Sequence, residues 1–426
     1  MIIKELKLKN YRGVKDIEFK FHENMNIFVG VNGSGKSTIL DSIAVLLSWL
    51  LNRIKHSGSS GRPITENDIK NKNSFAAAEI VLIDKNSEIS WEIVKNRKGY
   101  PSGNFGKSRF SALNEFVKKI QEAIEENQGQ LNLPLCVYYP VNRVVLDIPL
   151  RIKKKHSFNL FAAYDEALTG GANFRTFFEW FREREDLENE NRKYVNTLFK
   201  EENVQYPDPQ LEAVRTALKE FLPEFKNLTV RRSPLRMEVE KNGEILCLTQ
   251  LSDGEKCLIA MIGDLARRLA IANPVLENPL EGRGVVLIDE VDLHLHPRWQ
   301  RIIVPSLNRV FKNIQFFIST HSPHVITHAQ PENLYLLSSG KQGITVVKPI
   351  ESYGKNVDRV LEDIMGLKTT RPDEINEKIN KLYGFINKKE LEKAKDLLRQ
   401  IRNKIGEDPE LVKASVLIKR QEILGK

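Results

Sequence analysis

A glycine-rich stretch, Gly30 to Ser37, has the residue types and spacing of a phosphate-binding P-loop. In such a loop, backbone N–H groups surround phosphate oxygens, a lysine reaches the β- and γ-phosphates, and the next hydroxyl binds magnesium. The sequence therefore predicts a site for ATP and Mg²⁺, with Lys36 also acting in catalysis and Ser37 as a magnesium ligand. The expected nucleotide-binding residues of this stretch are Gly30, Asn32, Gly33, Ser34, Gly35, Lys36, Ser37 and Thr38.

Two carboxylates follow a second apolar strand, Val285 to Ile288. Because parallel strands end at one edge of a sheet, Asp289 and Glu290 are expected beside the P-loop. Asp289 can then hold magnesium. Glu290 is placed to accept a hydrogen bond from the water that attacks the γ-phosphate, which makes it the expected catalytic base.

Two more polar stretches lie before and after this acidic pair. Ser252 and Glu255 form a capping box, which would start any helix. His321 follows the apolar run Ile314 to Ile318, where a lone histidine is usually structural. The order of these stretches along the chain, relative to the P-loop and the acidic pair, also leaves open a role at the phosphate site for Ser252 and for His321.

Hydrophobic periodicity indicates the elements that position these residues. A buried strand covers Ile27 to Val29, a helix runs from Lys36 to about His56, and hairpins are expected around residues 85–87 and at Asn242-Gly243. Helices and strands then alternate as a mostly parallel sheet requires, so the expected class is α/β, with a mixed sheet and an antiparallel lobe. The expected regions are an N-terminal lobe with the P-loop (1–150), a helical insertion (151–225), a C-terminal lobe (226–350) and a helical region (351–426).

Composition favours a folded protein with a mild attraction to polyanions. The 426 residues are 41% hydrophobic, and 65 lysines and arginines against 56 acidic residues leave a formal charge of +9. No apolar run is long enough to cross a membrane and the N-terminus has the pattern of a strand, so a cytoplasmic protein is expected. The scattered cysteines are expected to be small core residues. They are Cys136, Cys247 and Cys257.

Two basic clusters stand out from the rest of the charge pattern. They are Lys153–Lys155, and Arg231-Arg232 with Arg236. Such clusters suit the backbone of a nucleic acid, which would then be a further partner. An ordinary solvated face is the alternative explanation.

The ordered motifs, over residues 1 to about 337, resemble the SMC, RecF and OLD-like ATPases, an ABC-type group within the AAA family. The resemblance implies an ABC-type P-loop ATPase head that completes two active sites by head-to-tail dimerisation, with ATP between the subunits. Ser252 and Gly254 would belong to the signature motif, which contacts the γ-phosphate held by the opposite subunit. Asp292 would lie in the D-loop at the dimer interface, and His321 would be the switch histidine that contacts the γ-phosphate.

Two further matches concern Arg12 and Asn142. Arg12, in Asn10–Gly13, resembles the N-terminal motif of SMC and RecF-like ATPases, in which an arginine lies near the nucleotide phosphates; an ordinary strand-end turn explains the same residues. Asn142 lies where the class places its Q-loop. Because this chain has no glutamine there, Asn142 is expected to contact magnesium or water instead.

A narrower resemblance rests on Val137–Pro140 with Asn142-Arg143 and Leu146–Pro149, on Leu287–Pro297 and on the lysine-rich helical tail. These stretches are similar to the PtuA ATPases of Septu antiphage systems and of related retrons. The resemblance implies a regulatory ATPase, dimeric or a higher even-numbered homo-oligomer, that controls an HNH nuclease, PtuB. The helices after about residue 350 would dock that partner, or else pack within their own domain or in a homo-oligomer. The alternative function is a RecF- or SMC-like ATPase that acts directly on DNA in repair.

Overall fold

The computed structural model describes residues 1–85, 87–99, 106–141, 144–145, 158–195, 206–340 and 343–424. Its strands, in chain order, are β1 (Ile2–Lys9), β2 (Asp16–Lys20), β3 (Met25–Val29), β4 (Phe75–Asp84), β5 (Ser87–Asn96), β6 (Leu135–Tyr139), β7 (Val144–Val145), β8 (Ala172–Asn173), β9 (Phe225–Arg232), β10 (Leu235–Lys241), β11 (Glu244–Cys247), β12 (Gly284–Ile288), β13 (Ile314–Thr320), β14 (Leu334–Gly340) and β15 (Gly343–Val347). Its helices are α1 (Lys36–Lys55), α2 (Ser111–Glu126), α3 (Phe174–Val195), α4 (Pro209–Phe221), α5 (Asp253–Ala272), α6 (Pro297–Val310), α7 (Pro323–Ile326), α8 (Val357–Arg359), α9 (Asp373–Asn387), α10 (Leu391–Ile405) and α11 (Pro409–Leu424). The chain divides into two units, Met1–Lys355 and Asn356–Lys426.

A six-stranded sheet forms the centre of the first unit, in the order β15-β14-β3-β13-β12-β6. Neighbouring strands are parallel except for β15, which is antiparallel to β14. Every residue of β3, β6, β12 and β13 is buried, as expected for parallel strands covered on both faces. Because β13 lies between β3 and β12, the segments that follow these three strands meet at one edge of the sheet. The predicted α/β class with a mostly parallel, mixed sheet is confirmed.

Two further sheets are antiparallel, with strand orders β2-β1-β4-β5 and β11-β10-β9. Strand β1 alternates as the sequence predicts, with its buried side chains on one face. In the four-stranded sheet, Lys9 lies opposite Asp16 and Ala77, and Phe75 lies opposite Asn96. The end of β1, the start of β2, the start of β4 and the end of β5 therefore share one end of the sheet.

Two helices of 20 residues, α1 and α5, lie largely in the interior of the first unit. Helix α1 directly follows the P-loop, and α5 begins after Ser252. Within the described residues, α1 is the one helix long and apolar enough to cross a membrane, and 72% of that apolar stretch is buried inside the fold. Such burial is typical of the core helix of a globular domain.

The described part of the expected helical insertion consists mainly of α3 and α4, which both pack against α5. Phe177 of α3 lies so close to Gly263 of α5 that a Cβ on this glycine would be 2.8 Å from the ring. Ion pairs tie the two helices together, with Arg215 of α4 lying 3.0 Å from Glu188 of α3. The segment is thus part of the packed first unit.

In the second unit, α9, α10 and α11 bury a common apolar core. Helix α10 contributes Ala394, Leu398 and Ile401 to this core, and all three are buried. The apolar face of α10 is therefore packed within its own unit, which is the alternative to partner docking that the sequence left open. Exposed apolar side chains lie on α11 instead, at Val412, Val416 and Ile423.

The cysteines differ from one another in their surroundings. Cys136 and Cys257 are fully buried, as predicted. The prediction of a core position is wrong for Cys247, which is only partly buried. The reason is that β11 is the edge strand of a small sheet and has no fully buried residue.

Candidate nucleotide-binding site

The P-loop connects β3 to α1 with a backbone that favours glycine at two positions. Gly33 and Gly35 have φ angles of 79° and 100°, in the left-handed region that residues with a Cβ rarely adopt. A Cβ on Gly35 would also lie 2.2 Å from Ile344 Cδ1. Within the described residues the buried hydroxyl of Ser34 has no hydrogen-bond partner. A glycine loop with an unpaired hydroxyl at the start of a long helix suits an anionic phosphate group.

Lys36 extends back into this loop. Its Nζ donates to the carbonyl oxygens of Gly30 and the following residue at 2.9 and 3.2 Å. Burial lowers the pKa of Lys36, and three carboxylates partly oppose this shift. They are Asp289, Glu290 and Asp292. The ammonium therefore lies within electrostatic reach of the acidic pair, while Ser37 and Asn32 are exposed and Thr38 half-buried on the loop and first helical turn.

The acidic pair follows β12 and is held by the neighbouring strands. Asp289 N donates to the Tyr139 carbonyl at 2.9 Å. Ser319 Oγ, at the end of β13, donates to Asp289 Oδ1 at 2.5 Å and accepts from Glu290 N at 2.7 Å. Glu290 has a φ of 47°, a strained conformation of the kind found at functional sites. One hydroxyl thus fixes the position of both acids.

Asp292 and His321 lie beside this pair. Thr320 Oγ1 donates to Asp292 Oδ1 at 2.5 Å, and the His321 N–H donates to the same oxygen at 3.4 Å. Burial, and next the charge of Lys36, lower the pKa of His321, although the nearby carboxylates oppose this. The imidazole is therefore neutral at pH 7. Asp292 anchors the His321 segment of its own chain, and its expected place at a dimer interface stays a prediction.

Ser252 caps α5 with the reciprocal bonds of a capping box. Its N–H and hydroxyl both donate to Glu255 Oε2 at 2.8 Å, and its Oγ accepts from Glu255 N at 3.4 Å. Ser252 is nonetheless exposed, whereas Gly254 is buried. A Cβ on Gly254 would lie 2.6 Å from the His294 carbonyl oxygen and 3.0 Å from the Trp299 ring, so close packing requires glycine here. In the described structure no hydrogen bond joins Ser252 or Gly254 to the P-loop of the same chain.

Arg12 is engaged in an ion-pair network beside α1. Its Nε donates to Asp68 at 2.7 Å and a terminal nitrogen donates to Asp41 at 2.6 Å. Arg62 donates to the other oxygen of Asp41 at 2.8 Å. Asp41 lies in the second turn of the helix that follows the P-loop. The structure therefore places Arg12 near the phosphate loop, and a direct contact with nucleotide stays a prediction.

The structure also contains a buried charged cluster on α5, which was not predicted from the sequence. Asp264 accepts from Arg267 and from Arg268, each at 2.7 Å, and from the hydroxyl of Tyr139 at 3.0 Å. Burial alone would raise the pKa of Asp264, but the two guanidinium groups hold it below its ordinary value. Because the Tyr139 carbonyl also binds Asp289, this cluster joins α5 to the acidic pair. Charged residues spaced i, i+3 and i+4 in an otherwise apolar helix were the available signal.

The structure brings Gly30–Thr38, Asp289, Glu290, Asp292 and His321 to one edge of the central sheet. Asn142, predicted as a ligand of magnesium or water, lies outside the described residues, as does the basic cluster Lys153–Lys155. Ser319 and Thr320, to which the sequence predictions gave no role, hold the acids in place. The residues present fit a nucleotide with Mg²⁺, since the loop suits phosphate and the Ser37 and Asp289 oxygens suit a hard cation.

Comparison with known proteins shows the family to which this chain belongs. The sequence matches the family described as "AAA domain" over residues 5–226 and the family described as "AAA domain, putative AbiEii toxin, Type IV TA system" over residues 147–327. The first match covers more than half of the chain, so this protein is an AAA-domain ATPase. Such ATPases bind nucleotide together with Mg²⁺.

Relatives that match over most of their length define the family more closely. The "Retron Ec83 probable ATPase" of Escherichia coli is 32% identical over 96% of this chain and 84% of its own length. The "Retron Vc95 probable ATPase" of Vibrio cholerae is 33% identical over 84% and 78%. The chain belongs to the family of these retron ATPases. The "Septu protein PtuA" of Bacillus thuringiensis is 24% identical over 92% and 91%, so the expected resemblance to PtuA and retron ATPases is confirmed.

Among solved structures, the Smc head bound to the C-terminal winged-helix domain of ScpA matches 82% of this chain and 98% of its own, with 17% identity and a TM-score of 0.48.

Proposed function

We propose that this chain is the ATP-binding and ATP-hydrolysing regulatory subunit of an antiphage defence complex. In this proposal it controls a partner HNH nuclease, similar to PtuB, through nucleotide-dependent head-to-tail dimerisation. The whole-length similarity to retron ATPases and to Septu PtuA supports the defence role. The placement of Ser252 supports the dimer.

Hydrolysis would use the residues gathered at the sheet edge. Ser37 and Asp289 would hold Mg²⁺, which would neutralise charge on the phosphates. Lys36 would leave its carbonyl partners for the phosphate oxygens, to which an ammonium binds more strongly. Glu290 would orient the attacking water and take its proton. The neutral His321 imidazole, held by its backbone bond to Asp292, would donate a hydrogen bond to the γ-phosphate.

One observation carries the dimer proposal. Ser252 is exposed at the N-terminus of α5, where the first N–H groups of a helix and the helix dipole favour an anion. In the described residues it has no bond to its own P-loop. A second subunit in head-to-tail orientation would bring a γ-phosphate to this end and complete the site.

The surface that would dock the nuclease lies on α11. Val412, Val416 and Ile423 are exposed by 48%, 59% and 75% and are spaced by four and seven residues, which puts them on one helical face. The opposite face of α11 fills the core of the second unit. Because one apolar face of α11 packs in this core, the other apolar face is available to bind another protein.

Expression of the chain with its genomic neighbours tests this proposal. We expect an affinity-purified sample to contain a small HNH protein, and Val416→Glu to release it. Val275→Glu is the matched control, because Val275 is equally exposed, by 59%, in the first unit. Purification without any nuclease, or retention of the nuclease by the Val416 variant, would contradict the partner or its docking surface respectively.

The second candidate function is a RecF- or SMC-like ATPase that acts directly on DNA. The positive charge of the chain, +9, favours this alternative. It predicts ATP-stimulated DNA binding by the isolated chain and no nuclease partner.

A further inference from the structure

Seven cationic residues lie at one end of the four-stranded antiparallel sheet. We name this surface the basic end. It consists of Lys9, Lys15, Lys70, Lys72, Lys95, Arg97 and Lys98, which lie at or next to the end of β1, the start of β2, the start of β4 and the end of β5. Adjacent strands lie ~4.8 Å apart, so these positions span roughly 14 Å across the sheet.

None of these seven cations has an ion-pair partner among the described residues. The carboxylates of this surface that are likewise not ion-paired are Asp16 and Glu66. At the opposite end of the same sheet several charges are paired, although Lys20 and Lys85 are not in the described structure: Lys4 lies 2.9 Å from Glu88, and the N-terminal ammonium and Arg283 lie 3.3 and 3.4 Å from Asp84. Like charges close together repel one another and destabilise a fold, and a bound anionic partner would offset this repulsion.

Hydrogen bonds to backbone carbonyls hold the loops of the basic end together. Lys70 N donates to the Asn10 carbonyl at 2.8 Å, and Lys70 Nζ donates to the Gly13 carbonyl at 2.8 Å. Arg97 N donates to the Ser74 carbonyl at 2.8 Å. The buried Nε of Arg97 has no hydrogen-bond partner in the described structure. Hydrogen bonds therefore connect the loops that carry these cations.

This surface borders the phosphate loop. Ile344 Cδ1 would lie 3.1 Å from a Cβ on Gly13 and 2.2 Å from a Cβ on Gly35, so one side chain touches both loops. Gly343 packs against Lys15, whose backbone nitrogen is 3.5 Å from the position of a Cβ on this glycine. The basic end and the P-loop are thus neighbours on one unit.

We propose that the basic end binds the phosphate backbone of a nucleic-acid duplex. Unpaired lysines spread over roughly 14 Å match the spacing of several phosphates and provide sequence-independent affinity through counterion release. Binding of single strands relies on exposed aromatic rings for stacking. The aromatic residues that the structure describes next to these cations do not supply them, since Tyr11 is buried and Phe75 half-buried. This inference does not depend on the proposed dimer or nuclease.

Salt-dependent binding of the full chain to a DNA duplex of about 30 base pairs tests the proposal, because each neutralised phosphate changes the slope of log K against log salt by about −0.9. Fluorescence anisotropy from about 50 to 200 mM salt should give a slope of about −3 or steeper. The variant Lys72→Asn with Lys98→Gln should weaken binding at least about fivefold and reduce the slope by about 1.8. Parallel titrations with a single strand and an RNA duplex identify the form of nucleic acid.

A matched variant lies at the other end of the same sheet. Lys85→Asn with Lys20→Gln removes two exposed lysines, and Lys85 and Lys72 both have positive φ angles, 53° and 68°. Asparagine tolerates this conformation, so neither pair introduces strain. We expect the control pair to bind within about twofold of the wild type. Equal losses for both pairs, tighter binding of the single strand, or no salt-dependent binding by the wild type would each overturn the proposal.

Discussion

The nucleotide edge and the signature end of this molecule are built in different ways. The nucleotide edge consists of Gly30–Thr38, Asp289, Glu290, Asp292 and His321, and bonds between residues far apart in sequence hold it together. At the signature end, Ser252 and Gly254, the hydrogen bonds of Ser252 stay within the first turn of α5, to Glu255 and Lys256. The nucleotide edge is therefore formed within one chain. Ser252 is exposed and makes only local hydrogen bonds, so it is accessible to a second chain.

The largest effect should come from removing the catalytic base at the nucleotide edge. Glu290→Gln keeps the size and hydrogen bonds of the side chain but cannot take a proton, so hydrolysis should fall about 10²- to 10⁴-fold. Nucleotide binding should remain, and ATP should then hold the dimer closed. Steady-state hydrolysis and light scattering with ATP measure both. The control is Glu281→Gln, because Glu281 is an exposed residue before β12. Hydrolysis at the wild-type rate in Glu290→Gln would show that Glu290 has no part in the mechanism.

Breaking the link between the two regions should have the next largest effect. Asp264→Asn leaves two buried guanidinium groups without a countercharge, which should lower the free energy of unfolding by about 3–5 kcal/mol. Asp253→Asn, on the exposed first turn of the same helix, should change it by less than about 0.5 kcal/mol. Urea unfolding compares the two variants. Equal stability of both would mean that the cluster does not hold α5 to the sheet.

Long-range bonds are also where prediction from sequence ends. The positions of β3, α1, β12 and β13 were predictable because apolar runs and the P-loop glycines are local signals. The contacts of Ser319 with both acids, and of Tyr139 with Asp264, depend on which strands lie side by side. Sequence periodicity does not contain that information. For the same reason Cys247 was wrongly predicted to be a core residue, and the sequence left open whether the apolar face of α10 packs within its own unit.

The capping role of Ser252 can be separated from a role at the phosphate. Asparagine caps a helix as well as serine does, whereas Ser252→Ala should lower the free energy of unfolding by about 1 kcal/mol. If the hydroxyl contacts a phosphate, both variants should hydrolyse ATP more slowly, although only the alanine variant is less stable. Full activity in Ser252→Asn would leave Ser252 as a helix cap alone.

The smallest effect concerns the electrostatics of the nucleotide edge. A depressed pKa means that the folded chain favours the neutral His321 imidazole, so this group destabilises the fold as pH falls from 6.5 through the lowered pKa. In the nucleotide-free chain, NMR titration should give a midpoint below 6.5. Lys36→Met should raise this midpoint, because it removes a neighbouring positive charge, and Lys55→Met at the far end of α1 should not. An unchanged midpoint in Lys36→Met would place the two side chains too far apart to interact.

Mixing two inactive variants tests the composite site most directly. Lys36→Ala removes the phosphate lysine and Ser252→Arg blocks the signature end, so each variant alone should be inactive. In a mixed dimer, the intact P-loop of the Ser252 variant would face the intact signature end of the Lys36 variant. An equal mixture should therefore recover up to about a quarter of wild-type hydrolysis, since half of the dimers are mixed and each has one intact site. Full activity of Ser252→Arg alone, or no recovery on mixing two folded variants, would contradict the composite site.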